Sequence, residues 1–118
     1  MLKFIPSKDS ATVAIEFSGK INKEDINCVD QYVKEHFGDD QTFNYYIVIQ
    51  DMDGATLKGW LEGFKEDMRR WKQYNRVAMI SEKNWVEAAM KLMDYLPGIT
   101  AKYFDQNQTE EAWNWIKQ

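Results

Sequence analysis

Two unbroken apolar runs constrain what this chain can fold into. Tyr45-Tyr46-Ile47-Val48-Ile49 and Val77-Ala78-Met79-Ile80 carry no polar alternation, so neither suits a sheet with one face in water. Burial on both faces is the condition of strands inside a parallel sheet that helices cover. A helical pattern follows each run at once, which is the signature of β-crossover-β units.

The remaining elements fall around these two strands. Leu2-Lys3-Phe4-Ile5 reads as a short first strand, ended by Pro6 and the turn Ser7-Lys8-Asp9-Ser10. Thr12 to Phe17 alternates Val13, Ile15 and Phe17 onto one face, and the short turn predicts an antiparallel hairpin. Asn22-Lys23-Glu24-Asp25 opens a helix in capping-box fashion; Ile26, Val29, Val33 and Phe37 line its inner side, and Gly38 stops it in the left-handed role. The third strand is expected over Phe43–Gln50. Thr56 caps a helix over Leu57–Tyr74, with Leu57, Leu61, Phe64, Met68 and Trp71 as its stripe. Ser81 caps a helix over Asn84–Leu96, closed by Pro97-Gly98. Ile99–Phe104 is a fifth strand, and Asn107-Gln108-Thr109-Glu110 opens a last helix with Ala112, Trp113 and Ile116 inward. The expected fold is one α/β domain over residues 1–118, in the order ββαβαβαβα: a five-stranded, mostly parallel sheet with one antiparallel edge strand and about four helices.

Composition narrows the function classes. A net charge of −4 argues against nucleic acid as the main partner, because phosphate binding needs a basic footprint. The single cysteine, Cys28, forbids an internal disulfide and fits a reducing cytoplasm. No apolar stretch reaches bilayer length, and the first twenty residues, broken by charges and Pro6, are no secretory signal. One Cys and one His cannot build a Cys/His zinc site, and neither a Gly-rich phosphate loop nor a Gly-x-Ser-x-Gly elbow occurs. Cys28 and His36 share one helix and form no catalytic pair. No cofactor or metal is expected.

The loop Asp51-Met52-Asp53-Gly54-Ala55-Thr56 is the leading candidate site, since the carboxyl end of a buried strand running into a helix is where α/β folds place ligands. A calcium loop fails: the glycine comes too early, Ala55 stands at an oxygen-ligand position, and only Glu62 matches. A Mg²⁺-dependent phosphatase of the haloacid dehalogenase type is approached by the Asp-x-Asp-Gly pattern. Ser81 and Asp105 resemble its later positions, with Lys83 or Lys91 as the needed cation, although Ala55 interrupts the motif. The plain alternative is turn chemistry, with acids near a helix N-terminus worth about 0.3–1 kcal/mol. Two further surfaces stand out. Lys65, Arg69, Arg70 and Lys72, with Arg76 beyond, form a mixed-charge basic face that is either solvated or meets an acidic partner or membrane surface. Trp60, Phe64, Trp85, Met90 and Met93 exceed what one inward stripe needs, which fits helix packing, an apolar ligand pocket, or self-association as a homodimer.

Several segments together resemble a known family. They are Gly19-Lys20-Ile21 leading into Lys23-Glu24-Asp25, the Asp51-to-Thr56 stretch, Arg76-Val77-Ala78-Met79-Ile80 followed by Trp85, and Tyr103-Phe104 before Glu110-Glu111-Ala112-Trp113. The chain resembles the SpoIIAA-like family of small bacterial proteins, related to the STAS domains of anti-sigma-factor antagonists. The resemblance implies a STAS-type α/β sandwich. It also implies a protein-binding surface at the start of the helix after the central strand, where well-studied antagonists carry a phosphorylatable serine. Asp51 to Gly59 has no serine, and Thr56 is its only hydroxyl. Phosphate there would meet Asp51 and Asp53. The reading is a non-enzymatic, cytoplasmic, regulatory binding module docking a protein partner through Asp51, Met52, Asp53 and Thr56. The alternative is a carrier for a small apolar or lipid-like ligand between the Leu57–Tyr74 and Asn84–Leu96 helices, and the phosphatase stands third.

Overall fold

The computed structural model describes residues 1–19, 22–50, 71–81 and 99–118. Their elements are β1 (Leu2–Phe4), β2 (Thr12–Ser18), α1 (Lys23–Phe37), β3 (Phe43–Gln50), a 3₁₀ turn (Trp71–Gln73), β4 (Tyr74–Ile80), β5 (Thr100–Phe104), a second 3₁₀ turn (Gln106–Gln108) and α2 (Thr109–Ile116). One five-stranded sheet has the order β1-β2-β3-β4-β5. β1 pairs with β2 antiparallel, and β2, β3, β4 and β5 run parallel. The expected mixed sheet with an antiparallel edge is therefore present. Two α-helices lie among the described residues; the other two expected ones fall outside them.

Side-chain alternation splits the core in two. On one face Val13, Ile15, Phe17, Tyr45, Ile47, Ile49, Val77 and Met79 pack with Val29, Val33 and Phe37 of α1. On the other, Ala14, Tyr46, Ala78, Ile80 and Phe104 pack with Ala112, Trp113 and Ile116 of α2. Each large apolar side chain removed from water this way contributes about 1.5–3 kcal/mol. The continuous runs are thus continuous because both faces of β3 and β4 are covered.

Local chemistry fixes the ends of α1. Asn22 Oδ1 accepts from the Asp25 N–H at 2.9 Å, and Asp25 Oδ2 accepts from the Asn22 N–H at 3.1 Å, closing the expected capping box. At the other end Gly38 does take a positive φ, but its pair φ 65°, ψ −153° is not the left-handed helical conformation. It lies in a region open essentially to glycine alone.

Several details differ from the sequence reading. Ile26 keeps helical spacing with Val29 and Val33 yet is 41% exposed. The Leu57–Tyr74 helix does not extend to Tyr74: residues 71–73 form a 3₁₀ turn and Tyr74 begins β4, buried against Phe43 and Tyr45. Arg76 accordingly sits in β4; Lys65, Arg69 and Arg70 lie outside the described residues. The last capping box is built by Asp105 and Gln108, two residues before the expected start, and it caps the 3₁₀ turn; α2 itself has no side-chain cap.

A polar seam crosses the amino ends of the parallel strands. Three residues of β3, Phe43 to Tyr45, lie against four of β4, Tyr74 to Val77, so the ladder carries a bulge. Asn44, 6% exposed, sits at the bulge and its Oδ1 accepts the Arg76 N–H at 3.1 Å. Its Nδ2 donates to Thr12 Oγ1 at 3.4 Å, and Thr12 donates onward to Asp9 Oδ2 at 2.6 Å. Nearby, buried Gln73 donates from Nε2 to the carbonyls of Gly38 and Gln41, both at 2.9 Å, tying the α1–β3 turn to β4.

Candidate functional site

Because β2 to β5 are parallel, their carboxyl ends share one edge: Ser18, Gln50, Ile80 and Phe104. α1 runs back across the sheet from that edge, with Phe37 near its end stacked on Phe43 at the start of β3, ring centroids 5.1 Å apart. The first turn of α1 therefore lies beside the strand ends. Asp51 follows directly on exposed Gln50, the last residue of β3. The candidate loop residues Asp51, Met52, Asp53 and Thr56 lie outside the described residues, and so do the pocket candidates Trp60, Phe64, Trp85, Met90 and Met93.

The described part of the edge is firmly built. Ser81 is 1% exposed; its N–H donates to the Phe104 carbonyl at 3.2 Å, and its carbonyl accepts from the Tyr103 hydroxyl. Asp105 uses its carboxylate to accept the Gln106 N–H at 2.8 Å, while Gln108 Oε1 accepts the Asp105 N–H at 2.9 Å. Both positions that resemble a phosphatase's later motifs are thus engaged in strand and turn geometry. Ser81 is buried, where a phosphate-binding hydroxyl must be presented to its ligand. Among the described residues no group of three or more His, Cys, Asp or Glu is placed to hold a metal ion. The strand order also advances from β2 to β5 without reversing, so this sheet lacks the order reversal at which doubly wound folds open a crevice.

Sequence reasoning missed Ile26. Its spacing places it on the inner arc of α1, but in the first turn no described strand covers it, and it stands 41% exposed at the edge where β3 ends. The signal was its position directly after the capping box, where an inward side chain overhangs the sheet.

Elsewhere, Cys28 is exposed, and His36 stacks on Tyr32 at 3.9 Å with its Nδ1 2.9 Å from the Tyr32 carbonyl. The imidazole is held by its own helix. Phe4 stacks on the same Tyr32 at 4.6 Å and forms one wall of an open groove of about 410 Å³ between β1 and α1. Among the described residues no helix is long and apolar enough to cross a membrane.

Comparison with known proteins matches this architecture. An uncharacterized protein of the DUF3478 family from Shewanella loihica PV-4, with a SpoIIAA-like fold, superposes with a TM-score of 0.70 at 20% identity. The match covers 98% of this chain and 92% of that one, and it shows the shared fold. No curated protein matches the sequence. The sequence pattern of the SpoIIAA-like family matches residues 12–117, from the first parallel strand through the last helix, and the chain belongs to that family.

Proposed function

We propose that this chain is a non-enzymatic regulatory module of the cytoplasm that binds a protein partner at the carboxyl edge of its sheet. The Asp51–Thr56 loop and the helix after it form the centre of that surface. The observation that carries the reading is the pairing at one edge of a fixed strand exit with an open apolar side chain. β3, buried from Phe43 to Ile47, ends at exposed Gln50 on the edge beside the first turn of α1, where Ile26 is 41% exposed. A rigid scaffold presenting a loop, with an apolar residue ringed by polar ones, is how protein-binding surfaces are commonly composed. The family's fold supports a binding role.

Site-specific photocrosslinking in the native host tests this. A crosslinker at position 52 or 26 is expected to give one discrete adduct, absent from position 8 in the β1–β2 turn and reduced by Asp53→Lys. Adducts of equal strength from all three positions refute it. Hydrolysis of a generic phosphate ester with Mg²⁺, lost in Asp51→Asn, would replace it with the phosphatase. A copurifying apolar ligand displaced by Trp85→Ala would replace it with the carrier.

A further inference from the structure

The opposite sheet face carries a second surface that the carboxyl-edge reading does not use. Arg76, Ala78 and Ile80 of β4 alternate onto the α2 side, as do Thr100, Lys102 and Phe104 of β5. Four of the side chains there form an unbroken row. The Arg76 guanidinium lies 5.5 Å from the Trp115 ring centroid, the Trp115 and Phe104 rings are 5.8 Å apart, and Lys102 Nζ lies 5.3 Å from the Phe104 ring. Arg76 donates one N–H to the Trp115 carbonyl near the end of α2, where a cation also suits the helix dipole. Neither cation forms an ion pair with a described acidic residue. Lys102 is exposed and Arg76 half-buried. β5, which ends the strand order, places Thr100 opposite Arg76, so Lys102 is two residues further along and the two Cα atoms stand roughly 8 Å apart.

We propose that this row binds an acidic protein segment, with carboxylates meeting Lys102 and Arg76, which the Phe104 and Trp115 rings hold in place. Charge decides the occupant. α1, on the other sheet face, carries Glu24, Asp25, Asp30 and Glu35 against Lys23 and Lys34, and the whole chain is at −4. A nucleic acid or anionic bilayer is a large polyanion that meets the field of the whole body and is repelled by it. A short acidic segment senses mainly charges within a Debye length of about 8 Å, so Lys102 and Arg76 attract it locally, while Asp105, Glu110 and Glu111 lie at the other end of β5 and α2. The cations are also spread along a strand and do not converge, which fits spaced carboxylates better than a single phosphate.

The test is fluorescence anisotropy of a short labelled oligoglutamate peptide titrated with the intact protein. The wild type is expected to bind at low salt and to weaken as salt is added. Lys102→Glu should lower affinity about five- to tenfold, and Lys102→Gln by less, as expected for exposed charge pairs. Lys8→Glu makes the same change in net charge in the exposed turn beyond the opposite edge strand and should leave binding unchanged. An equal loss in Lys8→Glu, or no binding to the wild type, overturns the proposal. So does Lys102-dependent binding to phosphatidylglycerol vesicles without binding to the peptide, which would make the occupant a membrane.

Discussion

Asn44 is the residue on which the centre of the sheet is predicted to depend most sharply for its size. Its Oδ1 takes the Arg76 N–H that the bulge removes from the ladder, and its Nδ2 supplies the hydrogen on Thr12 Oγ1 while Thr12 points its own at Asp9. The bond order is therefore directional, and only a side chain with one acceptor and one donor satisfies it. Asn44→Ala orphans the Arg76 N–H, costing about 1–3 kcal/mol, and loses the longer bond to Thr12, worth about 0.5–1 kcal/mol. The expected loss is about 2–4 kcal/mol, a large share of the ~5–15 kcal/mol that holds an ordinary domain together. At roughly 4 °C per kcal/mol for a chain of this size, the melting temperature should fall by ~8–16 °C.

Asn44→Asp separates the two bonds. A carboxylate still accepts from Arg76 but offers nothing to Thr12, and it places a buried anion at the end of a row leading to Asp9. Burial, with no donor on the Thr12 side, raises the new carboxyl's pKa in the folded state above its unfolded value of about 3.9. The unfolded chain then releases its proton first as pH rises, so the variant's deficit grows above pH ~4 and shrinks on acidification. Urea unfolding followed by circular dichroism at pH 7 and pH 5 measures both effects. An Asn44→Ala variant within ~0.5 kcal/mol of wild type, or an Asn44→Asp deficit that is flat with pH, refutes the directional account.

Two further predictions rest on single residues. Gly38→Ala meets no atom within 4 Å of the added carbon, so its cost is backbone strain alone: about 1–3 kcal/mol from holding φ 65°, ψ −153°, read as a lower urea midpoint at unchanged slope. Burial pushes the Tyr46 phenol above its ordinary 10.0, opposed by a side-chain hydrogen bond from Trp113. The unfolded chain therefore loses that proton first, and the stability Tyr46 contributes is complete below pH ~10 and lost as pH rises through the folded value. Tyr46→Phe should flatten this part of the alkaline unfolding curve; an unchanged slope above pH 10 refutes it.

What the sequence made legible was whatever local chemistry decides alone. The apolar runs marked β3 and the core of β4, and Asn22 with Asp25 marked the start of α1, because covered strands and capping boxes are properties of adjacent residues. The errors fall where distant contacts choose between two sound local readings. Tyr74 continues the helical stripe of Leu57–Trp71 and equally begins a strand, and packing on Phe43 and Tyr45 selects the strand. Asp105-x-x-Gln108 and Asn107-x-x-Glu110 both read as helix starts, and the 3₁₀ turn after β5 takes the first. Nothing local marks Asn44, because its role needs Arg76, thirty-two positions away.

The same distinction governs the candidate site. An acid-rich strand end reads alike whether it is a nucleophile, a metal ligand or a turn, because catalysis depends on groups that converge from other elements. Here two of those elements can be followed to the edge. β4 brings Ser81, buried, with its N–H on Phe104 and its carbonyl on the Tyr103 hydroxyl; β5 brings Asp105, whose carboxylate caps the turn that follows. Redirecting the Asp105 carboxylate toward a substrate would break the hydrogen bond that caps its turn, and Ser81 is 1% exposed. Among the described residues, Ile26 in the first turn of α1 is the apolar side chain left open near this edge, at 41% exposure. The described polar groups of this edge serve its own architecture and Ile26 stands open, and on that pairing the proposed partner-binding role rests.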